Sequence, residues 1–145
     1  MQFGDLSNEV ASRIILVFEG LLGHLPAGKV ADYEKYSEEG RWDSVISQFQ
    51  LNDMVLNRVL YLTWKSNFNI HVVTWFPEEA AVVISDKLDA LSIPVRSVFS
   101  STPAKLAKML VYSPDITCVY DPVPEHVLTF GSKGFVITDP NQIGT

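Results

Sequence analysis

The chain has 145 residues, 47% hydrophobic and 19% charged, with 11 basic and 17 acidic side chains for a net charge of −6. A chain of this size buries about 68–70% of the surface it exposes when unfolded, so a core forms without staples. Its one cysteine, Cys118, excludes an internal disulfide framework and a multi-cysteine zinc site. Sparse, scattered Lys and Arg weigh against nucleic acid as a partner, because each phosphate contact draws on one of them. No apolar run reaches the ~18–20 residues of a membrane span, and MQFGDLSNEV lacks the basic-then-apolar order of an export signal. A cytoplasmic protein with no membrane partner is expected.

The first element is Arg13-Ile14-Ile15-Leu16-Val17-Phe18, a continuous β-branched and apolar run that stops at Glu19-Gly20 and reads as a fully buried strand. From His24 to Gly40 the composition turns polar and acidic, with Asp32, Glu34, Glu38 and Glu39 around Tyr33 and Tyr36. This is the least core-like stretch. Leu51, Val55, Val59 and Leu62 recur at helical spacing and predict a helix over 51–66. Ile70 to Trp75 is the next strand, and Pro77 followed by Glu78-Glu79 opens a second helix, with its acids where the helix dipole favours them. Ala81, Ile84, Leu88 and Leu91 are its buried stripe. The alternation continues with a strand over 95–99, a helix from Thr102-Pro103 to Val111, and a strand over 116–120. A helix over 124–130 ended by Gly131 and a strand over 135–138 complete it. Trp64, Phe68, Trp75 and Phe76 are expected to pack around the central sheet, the last two on the side of its carboxyl end.

With no repeat and no linker, residues 1–145 read as one domain. Strands alternating with helices predict a doubly wound, three-layer α/β sandwich with a mostly parallel sheet. Ligands of such sheets sit beyond the carboxyl ends of the strands, where the strand order reverses. The residues expected there are Glu19 and Gly20, Thr74 and Trp75, Ser100 to Thr102, and Tyr120 to Pro122.

Taken in order, Ile15-Leu16-Val17-Phe18-Glu19-Gly20-Leu21-Leu22, Val72-Val73-Thr74-Trp75, Lys105 or Lys108, and Val119-Tyr120-Asp121-Pro122 resemble the motifs of the haloacid dehalogenase-like (HAD) phosphohydrolases. In that family the first strand ends in Asp-x-Asp-Gly, the second in Thr or Ser, a Lys lies near the start of a later helix, and the next strand ends in paired acids. The resemblance runs from about residue 13 to 139 and implies a Rossmannoid fold with Mg²⁺-dependent phosphoryl chemistry. With Gly20 on the motif glycine, Glu19 takes the place of the general acid/base and Val17 the place of the nucleophilic aspartate. Tyr120 replaces one of the paired acids and leaves Asp121 alone. Losing the nucleophile of a hydrolase costs on the order of 10⁶ in kcat, about 8 kcal/mol.

The chain is therefore expected to be a catalytically inactive HAD-like domain that acts by binding another protein, without a cofactor. Its remnant site would be Glu19, Thr74, Lys105 (or Lys108) and Asp121. The alternative is a Mg²⁺-dependent phosphohydrolase in which Glu19 and Asp121 hold the metal in a shifted arrangement. A register that made Glu19 the nucleophile would put Leu21 at the acid/base position.

Residues 24–44 fall where the family places its flap or small cap insertion. Tyr33, Tyr36 and Trp42 among acids would repel an anionic phosphate and offer aromatic anchors to a protein. Plainer roles stand beside these: Glu19 as a solvated carboxylate, Thr74 and Asp121 as turn residues, the lysines as surface charges, the aromatics as packing. Cys118 reads as core. His24, His71 and His126 are dispersed without zinc-site spacing, and no glycine-rich phosphate loop points to a nucleotide.

Overall fold

A computed structural model describes residues 12–145. The expectation about an export signal, made on the first ten residues, lies outside them. The described strands are β1 (Arg13–Val17), β2 (Gly23–His24), β3 (Gln50–Leu51), β4 (Asn69–Thr74), β5 (Ser97–Ser100), β6 (Ile116–Asp121) and β7 (Gly134–Val136). The described α-helices are α1 (Val30–Glu38), α2 (Trp42–Ser47), α3 (Asp53–Lys65), α4 (Glu78–Ala90), α5 (Pro103–Val111) and α6 (Pro124–Phe130). Five strands form one parallel sheet in the order β5-β4-β1-β6-β7, and β2 and β3 form a separate antiparallel pair.

β1 is central and apolar at every position after Arg13, because both its faces are covered. Ile14, Leu16 and Phe18 join a core with Val55, Val59 and Leu62 of α3 and Ala80, Ile84 and Leu88 of α4. Ile15 and Val17 join a second core with Leu106 and Leu110 of α5 and Phe130 of α6. The result is an α/β fold of three layers, as the alternation predicts. Local chemistry fixes the helix ends. The Asn52 side chain accepts from the N–H groups of Met54 and Val55 at the start of α3, and Thr102 Oγ1 accepts from Lys105 N–H ahead of Pro103 on α5.

The chain moves from β1 to β4 to β5 on one side, then returns to β6 on the other side of β1. The order thus reverses between β1 and β6, and their carboxyl ends deliver Glu19 and Asp121 to the same edge of the sheet. This is the switch point at which doubly wound sheets bind ligands.

Several expectations are corrected in detail. Leu51 pairs in β3 rather than starting the helix, since Asn52 is the cap. Leu91 is 51% exposed, because α4 ends at Ala90 and turns away from the sheet. Trp64 is 75% exposed: it lies off the Val55, Val59, Leu62 stripe and faces away from the sheet. The last strand is Gly134–Val136 rather than 135–138.

The acidic stretch after His24 is helical, and its continuation belongs to the core. α1 buries no residue fully, but Val45 and Ile46 of α2 are 0% and 1% exposed, and Phe49 is buried as well. Burying each aliphatic side chain contributes about 1.5–3 kcal/mol. Pairing of Gly23 with Leu51 and His24 with Gln50 closes the segment at its base.

Candidate functional site

The edge formed by the carboxyl ends of β1, β4 and β6 is built from the Glu19-Gly20 turn, Thr74-Trp75 and Asp121-Pro122. Gly20 takes φ +85°, and a Cβ there would lie 3.1 Å from Pro122 Cγ, so the turn after β1 and the turn after β6 close on each other only around glycine. Glu19 bridges to Gly23, and Gly20 N–H donates to Gly23 O at 2.9 Å.

Glu19 is tied down from β4. Thr74 Oγ1 donates to Glu19 Oε2 at 2.8 Å and Trp75 N–H donates to the same oxygen at 2.9 Å. Phe76 N–H in turn donates to Thr74 Oγ1 at 3.2 Å, so the fully buried Thr74 both shapes the turn and grips the carboxylate. Glu19 Oε1 is buried with no partner among the described residues. Burial pushes the Glu19 carboxyl up from its ordinary value, against the Thr74 hydroxyl and the backbone N–H groups, which favour the charged form.

Asp121 is fully buried. Val123 N–H donates to its Oδ1 at 2.8 Å, closing the turn, and His126 Nδ1 lies 2.8 Å from its Oδ2. An ionised Asp121 only accepts, and paired with it in that form His126 donates through Nδ1–H. The His126 ring meets Trp75 edge-on with centroids 5.5 Å apart, and Trp75 stacks on Phe130 at 6.4 Å and 27°. Trp75 thereby spans from the end of β4 to α6 and packs on the apolar cluster that holds Val17. Val17 itself is 0% exposed.

The structure brings Glu19 and Thr74 into direct contact and places Asp121 on the same edge, paired with His126. Lys105 and Lys108 are exposed on α5, and neither forms an ion pair with Glu19 or Asp121. Ser100 and Ser101 shape the turn after β5: the Ser100 hydroxyl donates to Phe76 O, and Ser101 N–H donates to Thr74 O at 3.1 Å.

Tyr33 and Trp42 are half-buried. Tyr33 lies edge-on to Phe49 at 6.0 Å and Trp42 lies 5.6 Å from Phe76, which itself packs on Phe49 at 5.8 Å. This aromatic cluster fastens α1 and α2 to the end of β4. Tyr36 is half-buried under Arg41, whose guanidinium sits 4.8 Å over its ring.

A magnesium ion asks for near-octahedral oxygen ligands, with one or two of them carboxylates. Glu19 Oε2 and both Asp121 oxygens are already engaged, which leaves Glu19 Oε1. No group of three or more His, Cys, Asp or Glu side chains among the described residues is arranged to hold a metal. The residues present do not fit that ion as they stand. Five surface cavities of about 260–350 Å³ lie elsewhere, and none is lined by Glu19, Thr74 or Asp121.

Sequence reasoning missed His126. Its signal is Asp121-Pro122-Val123-Pro124-Glu125-His126: an acid at a strand end, then a Pro-initiated helix whose first turn returns over it. No family model matches this chain, and no curated protein and no solved structure matches it.

Proposed function

We propose that the chain is a catalytically inactive HAD-like domain that acts by binding another protein. The observation that carries this reading is the environment of Val17. The position where the resemblance asks for an attacking carboxylate is a fully buried core position, and Trp75 packs over the cluster that contains it. Placement of Glu19, Gly20, Thr74 and Asp121 at successive strand ends of a parallel sheet supports the HAD-like part. Their hydrogen bonds support a structural use: Glu19 is held by Thr74 and Trp75, and Asp121 by Val123 and His126.

Tyr33 and Trp42 pack on Phe49 and Phe76, so they hold the cap segment in place rather than project from it. α3 carries a group of exposed anchors. Met54, Tyr61 and Trp64 are 58%, 52% and 75% exposed, and the Arg58 guanidinium lies 5.1 Å over the Tyr61 ring. Trp, Tyr and Arg are the residue types that dominate binding hot spots.

The test has two parts. Purified protein with Mg²⁺ and a panel of phosphate monoesters is expected to give no turnover, and turnover that disappears on replacing Glu19 or Asp121 overturns the proposal. Affinity capture from the native source is expected to retain a protein that a Tyr61→Ala, Trp64→Ala double variant loses while its circular dichroism is unchanged. Equal capture by both forms removes α3 as the binding face.

A further inference from the structure

The exposed face of α3 is not flat. Between it and the 3₁₀ turn Pro140–Gln142 lies a surface cavity of about 350 Å³, lined by Met54, Asn57, Arg58, Tyr61 and Asn141. We infer that this cavity receives a carboxylate side chain from an acidic segment of the partner protein, held on Arg58, while apolar residues of that segment lie on Met54, Tyr61 and Trp64. The inference rests on the reading of α3 as a protein-binding face and adds the chemistry of what binds there.

Arg58 gives the ligand class. Its Nε donates to Ile143 O at 2.9 Å, and its guanidinium lies 5.1 Å over the ring of Tyr61, another residue of the lining. Its Nη1 and Nη2 have no hydrogen-bond or ion-pair partner among the described residues, and neither is a buried atom. A permanent cation thus leaves two adjacent donors open, the end of the fork that a carboxylate meets with two parallel hydrogen bonds. The guanidinium is also held in place before anything binds. Ile143 is fully buried and Gly144 N–H donates to Tyr120 Oη at 2.9 Å, so the carbonyl that grips Nε is itself fixed on the core. Less side-chain freedom is then lost on pairing.

No acid of the lining cancels that charge, in a chain with 17 acids against 11 bases. Asn57, Asn141 and Tyr61 add amide and hydroxyl donors, and Lys65 extends the positive charge one turn along α3 from Tyr61. Asp139, close by in sequence, turns back on its own backbone, where Oδ1 accepts from Asn141 N–H at 3.0 Å. Asp53 lies in the first turn of α3, where the helix dipole favours it. The exposed Met54, Tyr61 and Trp64 side chains around the cation are apolar area that a peptide covers and a free inorganic anion does not.

The experiment is a ¹H–¹⁵N NMR titration of the full chain with the end-blocked peptide Leu-Asp-Glu-Leu-Phe-Asp-Glu-Leu, and with an uncharged counterpart in which Asn and Gln replace Asp and Glu. The acidic peptide is expected to shift the amides of Asn57, Tyr61 and Asn141 saturably and to bind about tenfold or more tighter than its counterpart. Arg58→Gln is expected to level the two affinities, whereas Trp64→Ala weakens both by the same factor. Because Arg58→Gln also cuts the bond to Ile143 O, a second variant keeps Arg58 and α3 intact: Asn141→Asp adds an acid to the lining and must level the affinities too. No saturable shift, equal binding of the two peptides by the parent chain, or an acidic preference that survives either variant overturns the inference. Displacement of the peptide by inorganic phosphate at equal concentration overturns it as well, as do shifts at the same amides on raising the protein concentration alone, which would put a second copy on this face. The reading of the chain as an inactive binding domain fails on different results: turnover of phosphate monoesters, or protein capture indifferent to Tyr61 and Trp64.

Discussion

Replacing Val17 with Asp installs the residue that the HAD resemblance asks for and separates a core position from a site position. Val17 is 0% exposed and lies among Ile15, Val73, Leu106, Val119 and Phe130. Losing the buried isopropyl group costs about 1.5–3 kcal/mol, and an unpaired carboxyl group in its place adds several more when ionised. Val17→Thr isolates the polar part, since it exchanges one methyl for a hydroxyl of similar size, at about 1–3 kcal/mol when no partner is offered. With a urea m-value of about 1–3 kcal/mol per M, the threonine variant shifts the unfolding midpoint by about 1 M. The aspartate variant shifts it further or unfolds outright. Burial raises the pKa of the introduced carboxyl. Its destabilisation is therefore largest at neutral pH and eases as pH falls into the ordinary carboxylate range and the unfolded state also takes up its proton. A Val17→Asp protein as stable as the parent at neutral pH would place position 17 in a hydrated crevice and refute this account of the core.

Further predictions concern neighbouring residues. Glu19 is held above its ordinary value of 4.5 by burial. The stability it contributes is complete below that value and declines as pH rises through its folded-state pKa, so Glu19→Gln gains on the parent in urea melts with rising pH and shows no pH-dependent gain below 4.5. His126→Ala strips the donor from Asp121 Oδ2 and costs about 1–3 kcal/mol. Adding Asp121→Asn to that variant recovers part of the loss in a double-mutant cycle. Gly23→Ala drives a Cβ into the Phe18 ring and costs about 1–3 kcal/mol by overpacking, read as a lower thermal midpoint. Trp64→Ala, at a 75% exposed position, changes stability by no more than about 0.5 kcal/mol.

The sheet was legible because its strands are short apolar runs that both faces bury. Ile14 to Phe18, Ile70 to Thr74 and Ile116 to Tyr120 carry that signal without reference to anything distant. Helical periodicity located α3 and α4, and it also held the information that Trp64 is exposed, since that residue falls off the Val55, Val59, Leu62 stripe. The α1–α2 segment was less legible. Asp32, Glu34, Glu38 and Glu39 dominate its composition, whereas its anchoring depends on Val45, Ile46 and an aromatic cluster completed by Phe76, some thirty residues later. At the site, Glu19, Thr74 and Asp121 could be placed at strand ends from sequence alone. What they touch could not: the grip of Thr74 on Glu19 depends on the register of β1 with β4, and the Asp121–His126 pair on how α6 folds back over β6.

Titrating ¹⁵N-labelled protein with inorganic phosphate in the presence of MgCl₂ tests most directly whether the carboxyl-end crevice is closed to phosphate and magnesium. Unmoved amides at Gly20, Trp75 and Val123 are the predicted result; saturable, magnesium-dependent shifts at those three residues would contradict it.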